Sequence, residues 1–309
     1  SSVEGDGGIF LGAYRMKTFH ASPSLKVVRR YHELFPADEL NVLLSLAFNE
    51  AEREGFLVQY RNIVAEIIGD SGAWSVAMGK STLTLEAVIN FLLLWGNKFD
   101  RYFNFDTDFS TRGFANNITN QLEMENRGLV PIPVVHNFYN SEIDYYVKSR
   151  KYNWLALGSR QSSNFRHLKH AVNRIKKGNP AIKIHWFGGS THDWLIQLPI
   201  ASCDTTSWAK SGAYGIIKYW NPRNEELDKT DYIYVGGRSS ILDSSLHHFV
   251  TYPFRKDLEE YLQVNFRFTY QDLCGYDDKF NMQLVNMKYY TDMEKRINDE
   301  RLRRGIPLE

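Results

Sequence analysis

One pattern constrains the fold of this chain more than any other: a short apolar run, a polar turn and a helix-like stretch follow one another repeatedly. The apolar runs lie at residues 41–48, 64–68, 101–105, 131–135, 153–157, 182–187 and 200–203. Strands that alternate with helices predict βαβ units, whose strands pair in parallel. Runs that are almost wholly apolar are typical of a sheet that is covered on both faces.

The repetition predicts the architecture of the chain. Seven units end with Asp204, and an eighth strand is expected at residues 214–219 or 232–235. Eight units predict an α/β fold of the (β/α)8 TIM-barrel type. A doubly wound open sheet is the alternative, which the lack of a GxGxxG motif after the first strand disfavours. We therefore divide the chain into an N-terminal extension (1–40), a barrel core (41–240) and a C-terminal helical part packed on the barrel (241–309).

Charge and cysteine content narrow the classes of protein that fit. A net charge of +1 argues against nucleic-acid binding over the whole surface and leaves a local basic face open. Cys203 and Cys274 form no CxxC motif and no metal-binding spacing, so we expect a cytoplasmic protein. The longest apolar run, near residues 88–95, is too short to span a membrane, and no signal peptide is expected.

Polar residues at the strand ends indicate a site. In a barrel of this type, the active site lies where the carboxyl ends of the strands meet. The residues found there are Asp70, Asp106, His136, Gly158, Gly188 and Asp204. One aspartate after a strand is commonly a helix cap or a turn residue, whereas three in one barrel mouth suggest shared chemistry.

Two chemistries suit this set of residues. Metal-assisted hydrolysis would need several histidines, and the early strands offer none, so no metal is expected. Displacement at the anomeric carbon of a sugar needs one carboxylate as nucleophile and a second that transfers protons. Asp70 and Asp204 supply such a pair without a metal ion.

Six short motifs occur in order along the predicted barrel. They are DSGAW at 70–74, NFD at 104–106, PVVH at 133–136, ALGS at 156–159, KIHWFG at 183–188 and SCDTTSW at 202–208. In this order they resemble the tRNA-guanine transglycosylase superfamily, whose members exchange guanine for a 7-deazaguanine within a nucleic acid. The resemblance covers residues 41–208.

The resemblance implies roles for individual residues. Asp204 would be the nucleophile and Asp70 the general acid/base. The residues implied to bind substrate are Ser71, Gly72, Asp106, His136, Gly158, Ser159, Gly188 and Trp208. The target base would have to be flipped out of a duplex or lie in a single strand.

The chain also departs from the family pattern. The family's zinc site has three cysteines and a histidine near the carboxyl end, where this chain has only Cys274, so no zinc subdomain is expected. His136 replaces the family's glutamine. The short form is most similar to the phage-type branch, which places 7-deazaguanines such as preQ0 in DNA; it would act in the host cytoplasm, and a homodimer is left open. The 7-deazaguanine would be a co-substrate, with no cofactor.

Four cations are expected to bind the nucleic-acid backbone, namely Arg160, Arg166, Lys169 and Arg174, on or just before the predicted helix 164–177. Three other interpretations stay open. They are a tRNA-modifying enzyme, a nucleoside or glycoside hydrolase that uses the same aspartate pair, and a non-catalytic binding subunit.

Overall fold

A computed structural model describes residues 15–47, 50–236, 246–274 and 278–306. Its central element is an all-parallel sheet of eight strands in the order β4-β3-β2-β1-β8-β7-β6-β5. The strands are β1 (Lys17–Ala21), β2 (Asn41–Ser45), β3 (Glu66–Asp70), β4 (Arg101–Tyr102), β5 (Val134–Val135), β6 (Trp154–Leu157), β7 (Lys183–Trp186) and β8 (Ser202–Thr205).

At least one helix follows each of these strands and covers the sheet. Side-chain oxygens of Ser24, Thr84 and Asn164 cap the amino ends of three of the helices, which explains where those helices begin. The helices are α1 (Leu25–Leu34), α2 (Glu50–Gly55), α3 (Ala73–Ala77), α4 (Leu85–Trp95), α5 (Phe114–Asn126), α6 (Glu142–Ser149), α7 (Phe165–Gly178), α8 (His192–Gln197) and α9 (Ser207–Ala213).

The sheet curls around an apolar interior. Side chains alternate along each strand, so one face of every strand points inward. The inner side chains form one buried cluster of Phe19, Leu43, Ile68, Phe103, Ile132, Val134 and Ala156. The outer faces pack against the helices in a separate, larger core.

The edge strands β4 and β5 meet at a single point. Phe103 and Ile132 form an isolated parallel bridge. The Asn104 amide donates to the Ile132 carbonyl at 2.9 Å, and the Ile132 amide donates to the Tyr102 carbonyl at 2.8 Å. Within the described ranges no strand ladder joins these edges, so the curled sheet is compatible with a TIM-type barrel without being a fully paired one.

The first strand lies outside the predicted barrel core. β1 falls within residues 1–40, yet it pairs with both β2 and β8. Treating that segment as an extension was therefore wrong for residues 17–34, which form β1 and α1. Lys17, Thr18 and His20 make this strand too polar to recognise from its sequence.

The two candidates for the eighth strand were also wrong. Residues 214–219 and 232–235 overlap β9 (Ile216–Trp220) and β10 (Thr230–Tyr234), which pair antiparallel in a separate sheet. β11 (His247–His248) completes that three-stranded sheet.

The last helix packs directly against the main sheet. The C-terminal helices are α10 (Arg255–Phe266), α11 (Tyr270–Cys274) and α12 (Asp278–Arg303). Glu294 of α12 accepts hydrogen bonds from the Thr18 amide (2.9 Å) and the Asn41 side chain (3.1 Å). His20 of β1 also contacts α12, with its Nε2 3.1 Å from the Met287 carbonyl, which explains how this polar side chain is accommodated on the outer face of β1. No helix in the described ranges is long and apolar enough to cross a membrane.

Candidate active site

A cavity of about 380 Å³ lies at the carboxyl ends of the strands. Seven of the residues predicted for the site line it: Asp70, Asp106, His136, Gly158, Ser159, Arg160 and Gly188. The rest of the wall is mainly apolar and aromatic. A few polar groups in a largely apolar hollow are typical of a small-molecule site.

Asp70 ends β3 and is turned into the cavity by a tight loop. Its Oδ1 accepts a hydrogen bond from the Gly72 amide at 3.2 Å, and the Ser71 hydroxyl donates to the Asn104 carbonyl at 2.7 Å. Gly72 has φ +78°, and a Cβ atom there would lie 2.9 Å from the Ala47 backbone nitrogen. Ser71 and Gly72 therefore shape the turn and do not line the cavity.

The pKa of Asp70 is raised to about 7: burial is the largest cause, the Gly72 amide opposes it, and the charges of Asp204 and Asp106 act in the same direction as burial. The three carboxylates are thus close enough to influence one another, as the sequence predicted. A carboxyl group that titrates near neutral pH can both donate and accept a proton.

Asp204 lies on β8 and is buried; it does not itself line the cavity, but it contacts Gly188, which does. Its Oδ1 accepts a hydrogen bond from the Gly188 amide at 2.9 Å and lies 3.3 Å from His185 Nε2. His185 Nδ1 in turn lies 2.8 Å from the Ser202 hydroxyl. Both contacts hold the same oxygen, so they orient the carboxylate of Asp204.

Burial lowers the pKa of His185, although Asp204 opposes this effect. A neutral imidazole that donates from Nε2 to Asp204 and accepts the Ser202 proton at Nδ1 satisfies all three groups. Sequence reasoning missed this residue as a member of the site. Its signal was the alternation within β7, which places 185 and 187 on the inner face.

Asp106 and His136 form a second polar pair in the cavity. Oδ2 of Asp106 is hydrogen-bonded to His136 Nε2. Burial raises the pKa of Asp106 against the effect of His136, while Asp106 raises the pKa of His136 against the effect of burial. The charge of Glu142 and the Gly158 backbone also raise the pKa of His136, so the imidazole is held from more than one side.

The loop that carries His136 is held firmly. The His136 amide donates to the buried Glu142 side chain at 2.7 Å. On the next strand, Gly158 approaches Val134 so closely that a Cβ atom would lie 2.7 Å from Val134 Cγ1. The Ser159 hydroxyl accepts the Gln161 amide at 3.1 Å, so this side chain starts the following turn.

Aromatic rings surround the polar groups. Trp74, which is 47% exposed, meets Phe109 edge to face at 5.1 Å between centroids, and Phe109 meets His136 at 4.7 Å. Phe103 and Phe187 lie deeper, 4.5 Å apart. The Arg160 guanidinium lies 5.9 Å from the Trp74 ring at the rim. Such walls suit a planar heterocycle.

Besides Ser71 and Gly72, two more predicted residues lie outside the cavity wall and have structural roles. Trp208 is buried; its indole nitrogen donates to the Ala21 carbonyl at 3.3 Å, and it does not line the cavity. Arg174 donates to the Phe138 carbonyl at 2.7 Å and pairs with Asp144 at 2.8 Å. Its guanidinium therefore stabilises a loop, which contradicts the expectation that it binds phosphate.

Arg166 and Lys169 are exposed on α7, as expected of phosphate ligands. Potential metal ligands cluster away from the cavity: His192, Asp193 and Asp228 offer ligand atoms within 4.8 Å of one another. The prediction that the site uses no metal stays a prediction.

No family model and no curated protein matches this chain. Among solved structures, it is similar to a cube-shaped, highly porous protein cage designed by fusing symmetric oligomeric domains, with 12% identity and a TM-score of 0.38. The match covers 62% of this chain and 63% of the cage chain, which is less than two thirds of the latter. A likeness at this TM-score carries no argument about function.

Proposed function

We propose that the protein is a base-exchanging transglycosylase, built on a (β/α)8-type scaffold, that replaces guanine in DNA with a 7-deazaguanine such as preQ0. The observation that carries the proposal is the pair of aspartates beside one cavity in unlike surroundings. Asp204 is oriented by the Gly188 amide and His185, whereas the pKa of Asp70 is raised to about 7. Two carboxyl groups with divided roles are what displacement at an anomeric carbon requires.

The first half of the reaction breaks the bond between sugar and guanine. The free oxygen of Asp204 attacks C1′ of the target nucleotide, and the guanine leaves from the opposite face. Asp70, protonated at its raised pKa, gives its proton to the departing base. The sugar is then held as an ester of Asp204.

The second half restores the polymer with a new base. A 7-deazaguanine enters the cavity, and the Asp70 carboxylate removes its N9 proton. The base displaces Asp204 from C1′, which regenerates the free carboxylate of Asp204 and the protonated form of Asp70. Two inversions leave the configuration at C1′ unchanged.

The cavity wall provides groups to read the base. Asp106 and His136 line the cavity and offer oxygen and nitrogen atoms to the polar edge of the base. Trp74 and Phe109 offer faces for stacking. DNA as the polymer and a cytoplasmic location stay predictions from the sequence resemblance.

The test is incorporation of labelled preQ0 into guanine-containing single-stranded DNA, duplex DNA and tRNA. The wild-type protein should transfer label to DNA and form a protein–DNA adduct that survives denaturation. Asp204→Asn should abolish both, while Asp299→Asn, which alters a carboxylate 59% exposed on α12, should change neither.

Other outcomes separate the alternatives. Label in tRNA alone would identify a tRNA enzyme, and free guanine without incorporation would identify a hydrolase. Binding of DNA with neither adduct nor label would refute the covalent mechanism.

A further inference from the structure

We propose that Tyr139, which stacks on His170 at the carboxyl edge of the sheet, binds an unpaired base of a DNA strand next to the nucleotide in the active site. The Tyr139 and His170 rings are 4.7 Å apart between centroids and inclined by only 14°. Tyr139 is nevertheless 52% exposed, and its hydroxyl is hydrogen-bonded to His167. This inference rests on the proposed function only in taking the neighbouring nucleotide to be the one that reacts in the active site.

The position of Tyr139 relative to the cavity is set by the backbone. Tyr139 lies three residues after His136, which lines the cavity, and on the loop that follows β5. His167 and His170 lie on α7, which follows the cavity residues Gly158 and Ser159. Both segments therefore leave the sheet at its carboxyl edge, the edge that carries the active site.

The loop under Tyr139 is rigid for a surface segment. The Phe138 amide donates to the Gln161 side chain at 2.8 Å, and the Tyr139 amide donates to Asn137 Oδ1 at 2.9 Å. Arg174 donates to the carbonyls of Phe138 and Asn140. An exposed ring that is held in place loses little entropy when a ligand stacks on it.

The charge around the ring favours a polyanion. Arg160, Arg166 and Lys169 follow the carboxyl end of β6, at the same edge of the sheet as Tyr139, and residues 145–192 contain no aspartate or glutamate. Arg166, Lys169 and His170 are exposed on α7. Lys169 and His170 lie three and four positions after Arg166, so the three side chains share one helix face. Asp144, the nearest acidic residue before this stretch in the sequence, is paired with Arg174.

An aromatic platform beside a row of cations matches the chemistry of single-stranded DNA. Bases stack on exposed rings without regard to sequence, while phosphates follow the positive groups. A paired base cannot stack in this way because its faces are already covered by its neighbours. The surface should therefore prefer an unpaired strand, which is also the state that gives a target base access to the cavity.

The experiment measures fluorescence anisotropy of a labelled single-stranded DNA 12-mer and of the matching blunt duplex. Tyr139→Ala should weaken binding of the single strand by about tenfold or more and leave duplex binding within about twofold. Tyr139→Phe should bind the single strand like wild type, because the ring is kept. Tyr214→Ala, which removes a tyrosine 74% exposed on another surface, is the matched control and should change nothing.

Any of four results would refute the proposed site. In two of them, Tyr139→Ala binds single-stranded DNA as tightly as wild type does, or loses equal affinity for single strand and duplex. In the other two, the wild type fails to bind single-stranded DNA, or binds RNA of the same sequence more tightly than DNA. If Tyr139→Ala lowers the melting temperature, Tyr139→Leu replaces it, because leucine keeps apolar bulk and removes stacking; it should show the same tenfold loss, and wild-type affinity would count against the site.

Binding and base exchange can fail separately. Loss of single-strand binding in Tyr139→Ala, together with absent label incorporation in the wild type, would keep this site and reject the proposed reaction. Incorporation of label with unchanged single-strand affinity in Tyr139→Ala would reject this site and keep the reaction.

Discussion

Replacing Asp70 with asparagine should stabilise the protein increasingly as the pH rises. Asparagine keeps the oxygen that accepts the Gly72 amide but carries no charge at any pH. The folded protein holds the pKa of Asp70 at about 7, against 3.8 for the free group. Below pH 3.8 the group is protonated in both the folded and the unfolded state, so it does not affect the balance.

Between these two values the unfolded chain gives up the proton and the folded chain keeps it, so the free energy of unfolding falls as the pH rises. A shift of about three pH units corresponds to about 4 kcal/mol at full effect. Because Asp70 lines an open cavity, water screens its charge, and we expect about half of this value. Between pH 5 and pH 8 the advantage of the variant should grow by about 1–3 kcal/mol.

Urea unfolding of the wild type and Asp70→Asn at pH 5, 6, 7 and 8 measures this difference. Glu86→Gln is the matched control, since it neutralises a carboxylate 63% exposed on α4. If the difference in free energy of unfolding between Asp70→Asn and wild type stays constant over this range, or narrows with rising pH, the pKa of Asp70 is not raised. The assignment of Asp70 as acid and base would then be refuted as well. The same gap in Glu86→Gln would show that the effect is not specific to the cavity.

Three further predictions concern the turn at Gly72, the cations of α7 and the contact between His185 and Asp204. Gly72→Ala should lower the free energy of unfolding by about 2–4 kcal/mol, because its φ is +78° and Ala47 blocks the added Cβ; Gly79→Ala, at φ +68° with nothing within 4 Å, should lose only about 1 kcal/mol in the same urea assay. Arg174→Ala should reduce stability by about 1–3 kcal/mol and leave the salt dependence of DNA binding unchanged, whereas Arg166→Ala should flatten the slope of log affinity against log salt by about one. If Arg174→Ala flattens this slope and Arg166→Ala does not, Arg174 binds phosphate after all. His185→Phe should slow adduct formation about 100-fold with little change in the KM for the free base, because Asp204 loses one of the contacts that orient it; an unchanged rate in single-turnover kinetics would exclude that role.

The order of the elements follows from local sequence alone. Apolar runs of strand length and polar residues at strand ends are recognised within a few neighbouring positions, so seven strands and the helix predicted at 164–177 lie close to where the pattern predicts them. The same pattern places Asp70, Asp106, His136 and Gly188 at one edge, because parallel strands end together. For this reason, the composition of the cavity wall was largely predictable.

Contacts between residues far apart in the sequence determined the remaining features, namely the first strand and the roles of individual side chains. β1 is a strand because it pairs with β2 and β8, and Glu294 and Asn298, more than 250 positions away, accept hydrogen bonds from the amides of Thr18 and Met16. The sequence gives no sign that Arg174 stabilises a loop or that Trp208 donates to the Ala21 carbonyl. Alternation within β7 places His185 on the inner face, but only the fold shows that it contacts Asp204. The raised pKa of Asp70 likewise comes from burial by the folded chain and from carboxylates that approach only when the sheet curls. Local spacing determines which groups reach the end of a strand, while desolvation and long-range pairing, which exist only in the folded chain, determine what those groups can do.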